Sequence, residues 1–132
     1  MKILVTGSCG FIGYHLCKRL LELGHSIIGM DNFNDYYDTT IKYERYNLLK
    51  KDVEISGVDI RNSRFYDCLP KVDLIIHLAA QAGVRHSLVD PDSYINTNIL
   101  GFFELMKYAK RTGCEKVIYA SSASVYGTNK LP

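Results

Sequence analysis

Lys2-Ile3-Leu4-Val5-Thr6-Gly7-Ser8-Cys9-Gly10-Phe11-Ile12-Gly13 opens the stretch that decides the fold, and Ile27-Ile28-Gly29-Met30-Asp31 closes it. A short apolar run gives way to a glycine-spaced turn. A helical pattern follows, with Ile12, Leu16, Leu20 and Leu23 along one face, until Gly24 stops it. A second apolar run ends at an acid. Strand, glycine turn, helix, strand and carboxylate is the order of a βαβ unit sized for a dinucleotide. At Gly7 the chain must leave a strand sharply, and at Gly10 a side chain would hold the backbone off a pyrophosphate. At Gly13 the helix must lie close on the strands. Phe11 and Ile12 fall in the first turn of that helix, whose unpaired N–H groups and partial positive charge suit phosphate. Asp31, with Asn32 beside it, is placed to accept hydrogen bonds from an adenosine ribose. A 2′-phosphate there would meet a like charge, and two unit charges about 4 Å apart repel by roughly 4 kcal/mol at an effective dielectric of 20. The residues that follow directly, Asn32-Phe33-Asn34, bring no cation, so the sequence favours NAD over NADP.

The totals bound what surrounds this unit. With 132 residues the chain reads as one domain able to bury a core. A hydrophobic content of 47% and a charged content of 23% are those of a soluble globular protein. The net charge of +2 argues for no particular partner, and with no basic stripe no nucleic-acid partner is read. Met1-Lys2 leads directly into a core strand, so no signal peptide is read, and no segment approaches the roughly 18 apolar residues of a membrane span. Cys9, Cys17, Cys68 and Cys114 form no CxxC pair and read as reduced thiols of a cytoplasmic protein, with no metal site. Cys9, in the glycine turn, reads as a small filler in preference to a reactive thiol.

Further along, residues 32–38 form a polar and aromatic loop in which Tyr36 and Tyr37 suit a ligand contact or a plain surface equally. Residues 39–50 read as a basic helix with Ile41 and Leu48-Leu49 as its apolar contacts. Residues 53–58 alternate as a strand that ends at Asp59, where a carboxylate can reach an adenine amino group and Ile60 can pack on the ring. Asn62 caps a short helix to Leu69. Residues 72–78 form a continuous apolar run, the mark of a strand buried on both faces. It ends in Leu78-Ala79-Ala80, where small residues admit a flat cofactor. Asp90-Pro91 opens a long helix over 92–111, with Ile95, Ile99, Phe102, Met106 and Ala109 as its buried stripe. Residues 116–120 are the fifth strand. Strands alternating with helices predict an α/β, doubly wound parallel sheet of Rossmann type, strand order 3-2-1-4-5. Gly7, Asp31, Asp59, Ala79 and Ser122 then gather at the carboxyl ends of the strands.

Several segments together resemble the extended short-chain dehydrogenase/reductase family: Thr6-Gly7-x-x-Gly10-Phe11-Ile12-Gly13, residues 31–38, residues 77–85, Asn98-Ile99-Leu100-Gly101 and residues 121–127. Within it the chain is similar to the NAD-dependent nucleotide-sugar epimerases and dehydratases. The second and third segments point to the UDP-glucuronate 4-epimerase branch. The resemblance implies NAD as cofactor and a UDP-hexuronate as substrate, UDP-glucuronate and UDP-galacturonate being interconverted through a 4-keto intermediate. It further implies a homodimer for the intact enzyme and a place in polysaccharide biosynthesis. It assigns Ser122 as the catalytic hydroxyl, with Ser124 the alternative, and Asn98 as the helix asparagine that orders the site. Each reads otherwise as an ordinary strand-end or helix-surface polar residue. Arg85 suits an anionic part of the substrate or a solvated loop. His15, His25 and His77 look structural.

One part of the family pattern is missing. A catalytic Tyr-x-x-x-Lys is expected on a helix after the serine strand, whereas this chain ends at Lys130-Leu131-Pro132. Tyr126 and Lys130 have the spacing but read as a turn. The expectation is therefore an incomplete NAD-binding Rossmann domain over residues 1–132, without the C-terminal substrate region and inactive alone. Its last strand would leave an open sheet edge prone to self-association. A 4,6-dehydratase is the nearest sibling, but Ala123-Ser124 stands where dehydratases place an Asp-Glu pair. A non-catalytic NAD-binding module and an unrelated nucleotide-binding regulator are the other readings.

Overall fold

In the computed structural model, which describes residues 1–128, five strands form one parallel sheet. They are β1 (Lys2–Thr6), β2 (Ser26–Asp31), β3 (Glu54–Gly57), β4 (Leu74–His77) and β5 (Val117–Tyr119). Their order is β3-β2-β1-β4-β5, as the alternation of elements predicts. β1 lies in the centre, with Leu4 between Ile28 and Ile75 and Val5 between Gly29 and Ile76.

Successive residues of β1 supply opposite faces, which is why its whole apolar run is buried. Ile3 and Val5 pack with Ile27, Ile76, Cys17 of α1 (Phe11–Glu22) and Leu49 of α2 (Thr39–Leu49). Leu4 packs on the other face with Met30, Ile75, Tyr66 of α3 (Ser63–Cys68) and Leu105 and Tyr108 of α5 (Phe102–Thr112). The Tyr66 and Tyr108 rings stack 5.5 Å apart. Each donates its hydroxyl to a backbone carbonyl, Ile60 O at 2.9 Å and Pro70 O at 2.6 Å, so neither buries an unpaired polar group. The Asn62 side chain caps α3, and Asp90 with Pro91 starts α4 (Pro91–Tyr94), both as read from the sequence.

Three helices differ from their sequence patterns. On α1 the buried residues are Gly13 and Cys17, while Ile12 and Leu23 are exposed. The sheet selects the face whose small residues allow a close approach. On α2 Ile41 and Leu48 are exposed, and Leu49 is buried together with Lys42. The long helix expected over 92–111 is broken in three: α4, a π-helix over Ile95–Gly101, and α5. The i→i+5 bonding of a π-turn takes in extra chain and rotates α4 about the helix axis relative to α5. Of the expected stripe only Ala109 is therefore buried, with Phe102 and Met106 half-buried. Ile95 and Ile99 are exposed, and Gly101, Leu105, Tyr108 and Ala109 face the sheet. Among the described residues no helix is long and apolar enough to cross a membrane.

Candidate functional site

The carboxyl ends of β1, β2 and β4 open onto a cavity of about 350 Å³. Its floor is the glycine turn. Gly7 has φ +71°, and a Cβ there would stand 2.8 Å from the Ala79 amide nitrogen. A Cβ on Gly13 would stand 2.0 Å from the Gly7 carbonyl oxygen. Both glycines are thus fixed by sterics before any ligand is considered. The first turn of α1 lines the cavity, and no side chain caps it. Its leading N–H groups stay available to an acceptor, and the helix dipole favours an anion.

At the far side lies Asp31, only 5% exposed. Its Oδ2 accepts from the Cys9 amide at 3.0 Å and its Oδ1 from the Phe33 amide at 2.9 Å. Lys42 Nζ is 3.6 Å from Oδ1. The first bond ties β2 to the glycine turn. The second holds Phe33 at φ +51°, a conformation that a bulky residue rarely adopts, with its ring stacked on Tyr43. Each carboxylate oxygen has two lone pairs, so Oδ2 retains one for a ligand hydroxyl.

Beside this lies a second cavity, reached over the end of β4 and lined by His77, Asn98, Tyr119 and Ser122 among others. Thr6 joins the two. Its hydroxyl accepts from the Leu78 and Ala79 amides, both at 3.2 Å, and lies 2.7 Å from His77 Nδ1. With both lone pairs in use, the Thr6 proton goes to Nδ1, and the imidazole carries its own proton on Nε2. Burial pushes the His77 pKa down to about 4, in keeping with a neutral acceptor. Asn98, on the π-helix, clamps the chain after β4. Its Oδ1 accepts from the Gln81 amide at 2.8 Å and its Nδ2 donates to the Gln81 carbonyl at 3.0 Å.

Gly7, Gly10, Phe11, Ile12, Gly13, Asp31, Asn32, Ile60, Leu78, Ala79 and Ala80 all line the first cavity. Asn98 and Ser122 line the second, and Leu78, Ala79 and Ala80 border both. Asp59, Arg85 and Ser124 line neither. Burial pushes the Asp59 carboxyl up, but hydrogen bonds from Arg61 and Asn32 outweigh it and leave the group below the usual carboxylate range. Ser122 Oγ donates to Ser124 Oγ at 3.1 Å. Cys9 is fully buried and its thiol is pushed up to about 12 by burial and then by Asp31, which makes it a filler. Lys130 lies outside the described residues.

Sequence reading passed over two other Tyr-x-x-x-Lys spacings, Tyr14 to Lys18 on α1 and Tyr46 of α2 to Lys50, the residue that ends it. Each lysine lies over its own tyrosine ring, and neither pair lines a cavity. It also missed Lys42 and Arg45. Lys42 lines the first cavity beside Tyr37, and Arg45 donates to the Cys9 carbonyl at 3.3 Å. The available signal was helical phase, since Lys42 lies about two turns before the buried Leu49.

Among the described residues no His, Cys, Asp and Glu are grouped to hold a metal ion. The glycine cradle, the uncapped helix end and the half-satisfied carboxylate do fit a dinucleotide. Residues 3–132 match the family described as NAD dependent epimerase/dehydratase. The chain is 43% identical to the protein CapI of Staphylococcus aureus, over 98% of this chain and 40% of that one. It is 38% identical to a probable UDP-glucuronate 4-epimerase of Rhizobium meliloti, over 100% of this chain and 40% of that one. A crystal structure of UDP-glucuronic acid 4-epimerase from Bacillus cereus, in complex with UDP-glucuronic acid and NAD, superposes with a TM-score of 0.89 at 36% identity, over 98% of this chain and 43% of that one. The chain thus spans about two fifths of the length of these proteins.

Proposed function

Because the chain belongs to the NAD dependent epimerase/dehydratase family, we propose that it is the NAD-binding portion of a nucleotide-sugar 4-epimerase acting on UDP-glucuronate and UDP-galacturonate. One observation carries the reading. The glycine turn, the open first turn of α1 and the Asp31 carboxylate border a single cavity at the strand ends. NAD, when bound, supplies a hydride acceptor and donor. The chain's own residues bind and orient. The α1 N–H groups neutralise a diphosphate, Asp31 Oδ2 accepts from a ribose hydroxyl, and Ile60 packs on an adenine ring. Thr6 and Asn98 fix the backbone after β4, and that segment forms the wall shared by the two cavities. Ser122, which lines the second cavity, is assigned to hydrogen-bond a substrate hydroxyl, and the similarity to UDP-glucuronate 4-epimerases supports a UDP-sugar there.

The 132 residues alone do not turn over a nucleotide sugar. Among the described residues Tyr37 and Lys42 are the tyrosine and lysine that share the first cavity, and they sit at its Asp31 end. Burial raises the Tyr37 pKa, the wrong direction for a base. The second cavity holds Tyr94 and Tyr119 but no lysine among its described lining residues, and Tyr94 spends its hydroxyl proton on the Ala82 and Gly83 carbonyls. Homodimer assembly is proposed from the resemblance, and a cytoplasmic location from the cysteines that form no CxxC pair. Isothermal titration of the purified chain with NAD tests the reading. Saturable one-site binding, lost in Asp31→Ala, is the expected result, and an absence of binding by the folded chain refutes it.

A further inference from the structure

The sequence favours NAD over NADP on the charge of Asp31 and the lack of a cation directly after it, but the fold brings a cation to that charge from farther along the chain. Lys42 reaches it from α2, a helix that reads in sequence as basic with Ile41 and Leu48-Leu49 as its apolar contacts. Its side chain is 9% exposed, its Nζ is 3.6 Å from Asp31 Oδ1, and it borders the same cavity. A lysine this buried is held by a specific partner or ligand. Nζ carries three donors. One is directed to Asp31, and the ammonium lies 5.1 Å from the Tyr37 ring centroid, so the group is not fully consumed by the carboxylate. A second cation of α2, Arg45, bonds the Cys9 carbonyl, so the same helix brings one positive group to Asp31 and another to the glycine turn.

We propose that Lys42 is a specificity-determining residue: the Asp31–Lys42 pair, not Asp31 alone, selects between NAD and its 2′-phosphorylated counterpart, and Lys42 is the group that would receive a 2′-phosphate once the Asp31 charge is removed. This rests on the reading that the first cavity seats NAD. Asp31 keeps Lys42 occupied and repels a phosphate. Lys42 in turn partly cancels the Asp31 field, so discrimination in the native chain is weaker than a bare carboxylate would give.

The test is isothermal titration of the purified chain with NAD and with NADP, for the native protein, Asp31→Asn, Lys42→Met and the double variant. Circular dichroism confirms that each is folded. The native chain prefers NAD. In Asp31→Asn, NADP gains on NAD by about tenfold or more, the scale of one charge–charge contact in a partly screened cleft. In the double variant that gain disappears, and in Lys42→Met alone the preference for NAD widens. Lys42→Gln replaces Lys42→Met should the latter not fold. Within Asp31→Asn itself, NADP binding falls more steeply with salt than NAD binding. A gain that survives in the double variant, equal salt dependences, or an unchanged preference in Lys42→Met each overturns the proposal. Failure of the native chain to bind NAD at all would instead refute the site reading.

Discussion

His77 gives the chain a stability that depends on pH in a calculable way. The folded state holds its imidazole neutral, with the pKa lowered from 6.5 to about 4 by burial. The unfolded chain therefore binds a proton on this residue at a higher pH than the folded chain does. Stability rises with pH wherever the unfolded state holds more protons, so this contribution is complete above about pH 6.5 and is lost as pH falls toward 4. The slope is that of one proton, about 1.4 kcal/mol per pH unit, and the accumulated loss is about 2 kcal/mol at pH 5 and about 3 kcal/mol at pH 4. His77→Asn supplies the comparison, since its Oδ1 can take the Thr6 proton that Nδ1 takes now and does not titrate. The assay is urea unfolding followed by far-UV circular dichroism at pH 7, 6, 5 and 4. The carboxylates contribute equally to both proteins and cancel in the difference. The native chain is expected to lose about 3 kcal/mol more than the variant between pH 7 and pH 4. Parallel losses would show that the imidazole is solvated or charged in the folded chain, and the Thr6 network described above would be wrong.

Other outcomes derive from the same geometry. Gly13→Ala places a methyl group 2.0 Å from the Gly7 carbonyl. It is expected to abolish NAD binding and to cost about 1–3 kcal/mol by overpacking, read by titration and thermal melting. Asn98→Ala removes both bonds to Gln81. It should cost about 1–3 kcal/mol and raise hydrogen exchange at the Gln81 amide while amides of β1 stay protected. In native alkylation at pH 8, exposed Cys68 should react first, with Cys9 and Cys17 inert, because burial raises both of their thiols to about 12 and leaves a thiolate fraction of about 10⁻⁴. Peptide mass mapping reads the order of modification.

The sheet was legible because its signal is local. A short apolar run, or over residues 53–58 an alternation, bounded by turn residues marks each strand, and the lengths between them leave room for the helices that force a parallel order. The residues of the first cavity were legible for the same reason, since Gly7, Gly13 and Asp31 sit at strand ends that topology must bring together. What could not be read depended on rotation about a helix axis. Ile12, Ile41 and Leu48 look like core residues and are exposed, whereas Lys42 looks like surface and is buried, because Asp31 supplies a partner that no periodicity reveals. Ile95 and Ile99 were misplaced because a seven-residue π-helix interrupts the expected phase, and composition does not announce such a turn.

That interruption constrains how the segment can change. An α-helix turns about 100° per residue. Were the same residues Ile95–Gly101 to rewind into a continuous α-helix, each would turn further than it does in the wider π-turn, and everything on one side would swing by about one residue's angle or more. Asn98 would leave Gln81, and the wall between the two cavities would lose its fastening without a single cavity-lining side chain being replaced. The winding of this segment is accordingly as much a part of the binding chemistry as residue identity, and a substitution that favours α- over π-turns here would loosen the site while leaving its lining intact.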